Sequence, residues 1–179
     1  MTTSERGKTI VFIDDSNVFH GGRNAGWRVD WNRFDKYLEK IGPVWQVYYF
    51  ASRHEPPRDE EMAFFDHIKE DLRWEVHLYE LGRRTVRCDN CSHTEVVPTE
   101  KGVDVGLAIK MLTLATNQAF ETAILVAGDR DYLETVKYVK GLGLRVEVIA
   151  WRSALSGDLE VESSEPVVYL DSLRKELER

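Results

Sequence analysis

The feature that most restricts how this chain can fold is a series of short, unbroken apolar runs, separated by segments whose apolar residues recur at helical spacing. Thr9-Ile-Val-Phe-Ile13 and Thr122-Ala-Ile-Leu-Val-Ala127 are rich in β-branched residues and continuous, not alternating. A strand with one wet face must alternate, so a continuous run belongs to a strand covered on both faces, as in a parallel sheet between helices. Val44-Trp-Gln-Val-Tyr-Tyr-Phe50, Trp74 to Leu81 and Leu144-Arg-Val-Glu-Val-Ile149 read as further strands, with a short one at Val167-Val-Tyr-Leu170. Between them, Trp31, Phe34, Leu38 and Ile41 share one helical face, as do Met62, Phe65 and Ile68 within Asp59 to Leu72. Val103 to Ala115 and Tyr132 to Leu142 read as helices too, and the tail adds a terminal one. This alternation predicts a three-layer α/β/α fold around a mostly parallel sheet with right-handed crossovers.

Two stretches depart from the rhythm. Ser16 to Gly26 reads as a polar, glycine-bearing connection, and Gly82 to Glu100 as an inserted hairpin around the turn Cys88-Asp-Asn-Cys91. A length of 179 residues, 42% of them hydrophobic, suits one core, and no repeat or linker divides it. One domain over 1–179 is expected, with a core at about 8–150, the hairpin at about 82–100 and a C-terminal extension at about 151–179. No run approaches the roughly 18 apolar residues of a membrane helix, and the amino terminus lacks a signal-peptide layout. Two cysteines do not make a secreted disulfide framework, so a cytoplasmic protein without a membrane partner is expected.

The acids fall in a pattern. Asp14 directly follows the first strand, and Asp129 and Asp131 follow the strand that ends in Val126-Ala-Gly-Asp-Arg-Asp-Tyr132. Ligands of open parallel sheets bind outside the carboxyl ends of the strands, so these acids share one edge if their strands are neighbours. Asp104 joins them from the first turn of the helix opened by Lys101-Gly-Val-Asp-Val105. Each has an ordinary alternative: Asp14 or Asp15 capping a turn, Asp104 complementing a helix dipole, Asp129 capping the next helix. Converging carboxylates would repel one another and raise their pKa values unless a cation were present. Oxygen-only ligation points to Mg²⁺ or Mn²⁺, which lower the pKa of a bound water and stabilise charge on phosphate oxygens.

Three motifs resemble those of the NYN domains, the LabA-like group of the PIN-like nuclease superfamily: Phe12-Ile-Asp-Asp-Ser-Asn17, Lys101-Gly-Val-Asp-Val105 and Ala127-Gly-Asp-Arg-Asp-Tyr132. The resemblance runs from about Ile10 to Ile149, and the order and spacing of the motifs make it specific. It implies metal-dependent cleavage of RNA phosphodiester bonds. Asp14, Asp104 and Asp129 match the metal-binding acids, Asp131 stands as a fourth, and Asn17 would orient Asp14 or the substrate phosphate. Two departures follow. Lys110 occupies a position where many members carry a further aspartate, leaving it to contact phosphate or weaken metal binding, and Arg130 replaces the serine of Gly-Asp-Ser-Asp, where it would contact RNA or lie on the surface.

The net charge is −7, from 31 acidic and 24 basic residues, so any RNA contact must be local. Arg23, Trp27 and Arg28, in the connection after Asp14, are candidates to hold phosphate and stack on an unpaired base, with core packing the alternative for Trp27. Arg83, Arg84 and Arg87 would grip an RNA backbone or belong to a solvated hairpin. Cys88, Cys91 and His93 supply part of a structural Zn²⁺ site that His77 or a partner subunit would have to complete; the alternative is a reduced pair in a turn. RNA, single-stranded or structured, is the expected partner, and a homodimer is compatible with the sequence without being argued by it.

A phosphoaspartyl receiver fails because the third and fifth strands end in Glu80-Leu81 and Ile149-Ala150, not in an aspartate and a lysine. A haloacid-dehalogenase-like phosphatase fails because position 16 is Ser16. The remaining rival is a non-catalytic RNA-binding or protein-docking module that retains the fold, motivated by Lys110 and the acidic balance.

Overall fold

Strand β1 (Thr9–Asp14) is buried along its whole length, and its side chains divide between two cores. Ile10 and Phe12 face one side, Val11 and Ile13 the other. In the computed structural model, which describes residues 6–87, 90–91 and 93–179, β1 lies at the centre of a six-stranded sheet. It pairs in parallel with β2 (Val44–Arg53) on one side and with β6 (Thr122–Val126) on the other. Beyond β2 lies β3 (Glu75–Glu80), and beyond β6 lie β7 (Arg145–Ala150) and β8 (Val168–Tyr169), so the order is β3-β2-β1-β6-β7-β8. Every pairing is parallel, as the continuous apolar runs require. The chain builds outward from β1 in one direction, then returns to build outward in the other. The gap between β1 and β6 is therefore the point where the winding reverses and a crevice opens.

Helices cover both faces. One layer contains α4 (Val103–Thr116), α5 (Leu133–Gly141) and α6 (Gly157–Glu162), which bury Leu107, Met111, Val136, Val139 and Leu159. The other contains α1 (Asp15–Ala25), α2 (Trp31–Ile41), α3 (Asp59–Glu70) and α7 (Arg174–Leu177). In α2 the expected face is the buried one, through Trp31, Phe34 and Leu38. In α3, Phe65 and Ile68 are buried while Met62 stays exposed at the first turn. No helix among the described residues is long and apolar enough to cross a membrane.

Ser16 to Gly26, expected as a connection, is instead largely the helix α1. Asp14 caps it by accepting from the backbone N–H of Asn17 at 3.1 Å. Gly21 and Gly22 lower its intrinsic propensity, but the Trp151 indole lies against both, leaving no room for a Cβ at Gly21. Tertiary packing thus selects the helix that local preference alone does not. β4 (Gly82–Arg87) and β5 (Thr94–Thr99) form the antiparallel hairpin expected between β3 and α4.

Candidate functional site

Asp14 ends β1 at the reversal point and is 7% exposed. Its Oδ1 accepts from the Asn17 N–H, and its Oδ2 accepts from the Tyr132 hydroxyl at 2.7 Å. Tyr132 ends the short 3₁₀ turn Arg130–Tyr132 that follows β6, so this bond ties the two central strands together at their carboxyl ends. A second tie runs beside it: the Gly128 N–H donates to Asn17 Oδ1 at 3.0 Å. Glycine is required at 128, because a Cβ there would come within 2.6 Å of the Ala154 carbonyl oxygen.

Asp129 and Asp131 are exposed on the same turn, and Asp129 Oδ1 accepts from the Asp131 N–H at 3.1 Å. Asp104 stands exposed in the first turn of α4, which opens at Gly102 with φ of 84°, a backbone state that favours glycine. The ordinary capping uses of Asp14 and Asp129 are thus both made, and a carboxylate has lone pairs left over for a further ligand.

Electrostatics link these acids. Burial pushes the Asp14 carboxyl above the usual range, and the charges of Glu100 and Asp129 add to the rise, against hydrogen bonds from Asn17 and Tyr132 that lower it. Burial also raises the Tyr132 phenol far above its ordinary value, reinforced by Asp14, Asp104 and Asp129. Tyr132 therefore stays protonated and remains a donor to Asp14. Beside them, burial raises the Asp15 carboxyl to about 6, despite a hydrogen bond from the Tyr49 hydroxyl that lowers it. Among the described residues no three His, Cys, Asp or Glu side chains close into a ready-made metal cage; the acids share an edge and a field.

Other sequence candidates lie elsewhere. Trp27 is 6% exposed and packs edge-on against Trp151 at 4.7 Å, so core packing is its role and base stacking is not. Arg23 is exposed eight residues along α1 from Asp15, about 12 Å down the axis. The guanidinium of Arg28 lies 5.1 Å from the ring centroid of Phe19. Arg130 pairs with Asp158 at 3.0 Å. The Lys110 ammonium is held at 2.9 Å from Glu75, at the start of β3, and lies over the Tyr48 ring, which turns it away from the acidic edge.

Arg83, Arg84 and Arg87 are exposed on β4. Cys91 and His93 are exposed, and Cys88 lies outside the described residues. His77 is stacked on Phe50 at 4.7 Å and its Nε2 bonds Glu75.

Residues that the sequence reading passed over now stand out. In the sequence Tyr132 closes the third motif and opens a helix without any sign that it donates to Asp14, and Glu100 reads as the end of the hairpin, although it directly precedes the Lys-Gly-Val-Asp motif. Phe19, 39% exposed, lies one turn beyond Asp15 on α1 and lines the same groove as Asp15.

The NYN domain family model matches residues 8–168. The crystal structure of a protein of unknown function from Vibrio parahaemolyticus RIMD 2210633 shares the fold: the TM-score is 0.69 at 22% identity, with 99% of each chain covered. No curated protein matches the sequence. The match to the family model spans nearly the whole chain, and the protein belongs to the NYN domain family, within the PIN-like nuclease superfamily.

Proposed function

We propose that this protein is a metal-dependent ribonuclease that hydrolyses RNA phosphodiester bonds at the carboxyl edge of β1 and β6. The observation that carries the reading is Asp14 at the reversal point, fixed through both oxygens, its carboxyl raised in pKa by burial first and then by the charges of Glu100 and Asp129. An uncompensated field of this kind favours a cation. The donor set is oxygen-only, which suits Mg²⁺ or Mn²⁺, and Asp14, Asp104, Asp129 and Asp131 would hold it. When bound, such an ion supplies an activated water and neutralises charge on the phosphate.

The chain's own residues do the positioning. Tyr132 and the Asn17 N–H fix the plane of the Asp14 carboxylate. The Asn17 carbonyl oxygen is taken by Gly128, which leaves its amide N–H₂ to orient a phosphate oxygen. Exposed Asp104, Asp129 and Asp131 remain open to solvent on the approach side.

Calorimetric titration with Mn²⁺ tests the metal assignment. Saturable binding that weakens at least tenfold in Asp129→Asn is expected; equal affinity in the two proteins would remove Asp129 from the site.

The non-catalytic module has one observation in its favour. Lys110, which the resemblance places where a further acid is common, provides a counter-charge to Glu75 and adds no donor to the edge. RNA bound but never cut, with Mn²⁺ still held, would mark that reading.

A further inference from the structure

A groove of about 660 Å³ begins at Asp15, next to the candidate metal acid, and runs between α1, α2 and α3. Three of its four acids are already engaged: Asp15 accepts from Tyr49, Asp30 from the Arg33 N–H, and Glu61 from the Arg58 N–H while also bonding His54; the fourth, Glu60, is exposed in the first turn of α3. What remains open toward a ligand is of another kind. The Ser52 hydroxyl is buried without a hydrogen-bond partner among the described residues. Asn32 gives its oxygen to His67 at 3.1 Å, which leaves its amide N–H₂ free to donate.

At the mouth, Phe19 presents an exposed ring with the Arg28 guanidinium over it at 5.1 Å. Residues four apart on a helix stand on one face about 5–6 Å from each other. Phe19 is therefore the next surface that a strand leaving the acidic edge along α1 would meet.

We propose that Phe19 and Arg28 form a stacking platform for the unpaired nucleobase next to the scissile phosphate, with Ser52 and Asn32 meeting its polar edge inside the groove. The inference rests on the ribonuclease reading and adds to it the residues that hold the base beside the cut. A flat aromatic ring paired with a guanidinium offers a π-face and a cation together, which suits a base and its phosphate. A base within a duplex has both faces covered and cannot reach this platform. The groove's volume of about 660 Å³ lies in the range of pockets that take small organic ligands, which suits a base.

The test is fluorescence titration of a single-stranded RNA carrying 2-aminopurine, in EDTA so that no cutting intervenes. Wild-type protein is expected to bind with quenching of the base. Phe19→Ala should bind about five- to a hundredfold more weakly, the loss of one base stack, with an unchanged thermal melt. Phe19→Trp should restore both affinity and quenching, and annealing the RNA to its complement, which stacks the base within the duplex, should remove the protein-dependent change in fluorescence. Equal affinity for wild-type and Phe19→Ala, or binding of wild-type without quenching, would overturn the platform. Mn²⁺-dependent cutting of the same RNA by wild-type protein reads the ribonuclease assignment separately, so either can fail alone.

Discussion

The Tyr132 hydroxyl donates to Asp14 Oδ2 across 2.7 Å, joining the turn after β6 to the last residue of β1. These residues are 118 positions apart in sequence, and the bond is buried. It fixes the orientation of the one candidate metal ligand that is itself buried, so the relationship bears on stability and on chemistry together.

Tyr132→Phe separates the two. The ring and its packing stay, but Asp14 loses a donor. An unsatisfied buried acceptor costs about 1–3 kcal/mol, so chemical denaturation should show a stability loss in that range. A partner that orients a metal ligand is worth about 10–100-fold in metal affinity or activity, and Mn²⁺ binding and RNA cleavage should fall by that factor. A stability loss with metal affinity untouched would make Tyr132 purely structural.

Asp15 gives a pH dependence. Its folded pKa is about 6 against 3.8 for the ordinary side chain, so the folded state holds a proton in that window that the unfolded chain has released. Stability therefore falls as pH rises from about 4 through 6 and levels off above, the reverse of a paired carboxylate. Burial raises Asp14 too, in the same direction. In metal-free buffer, Asp15→Asn should show a shallower rise in melting temperature than wild type as pH is lowered from 7.5 to 4.5. Identical slopes would show that Asp15 titrates normally.

Gly128→Ala tests the close approach on the other side of Asn17. The new Cβ meets backbone atoms of Ala154 and Leu155, which yield less readily than a side chain. Overpacking of this kind typically costs about 1–3 kcal/mol, and the displaced 128 N–H should also release Asn17. Urea denaturation should show a lower midpoint, with RNA cleavage reduced beyond the unfolded fraction. An unchanged midpoint would contradict the geometry.

The strands were legible because burial on both faces leaves a direct trace, an unbroken apolar run such as that of β1. Placing Asp14 and Asp129 at one edge needed only the further step that β1 and β6 be neighbours, and they are. The local order of the chain says less about α1. Its residues include Asn17, Gly21, Gly22 and Asn24, poor helix formers, and the Trp151 side chain that selects the helix lies far away in sequence. Contact with the same remote residue distinguishes Trp27 from Phe19. Both are aromatic, but only the fold buries one against Trp151 and leaves the other exposed on the groove that begins at Asp15. Tyr132 as a donor to Asp14 was equally hidden, since it depends on a pairing between strands and not on any periodicity. The short, polar α6 carries too few apolar residues to show a face, and Leu159 alone anchors it in the core.

If the acids at the β1–β6 edge cut RNA with a divalent metal, removing either the metal or one acid must stop the reaction. Its most direct measurement is cleavage of an end-labelled single-stranded RNA with Mn²⁺, with EDTA, and with the Asp129→Asn protein in parallel. Cutting that requires Mn²⁺ and falls at least a hundredfold in the variant is predicted. Cutting that persists in EDTA, or proceeds undiminished in Asp129→Asn, would contradict it.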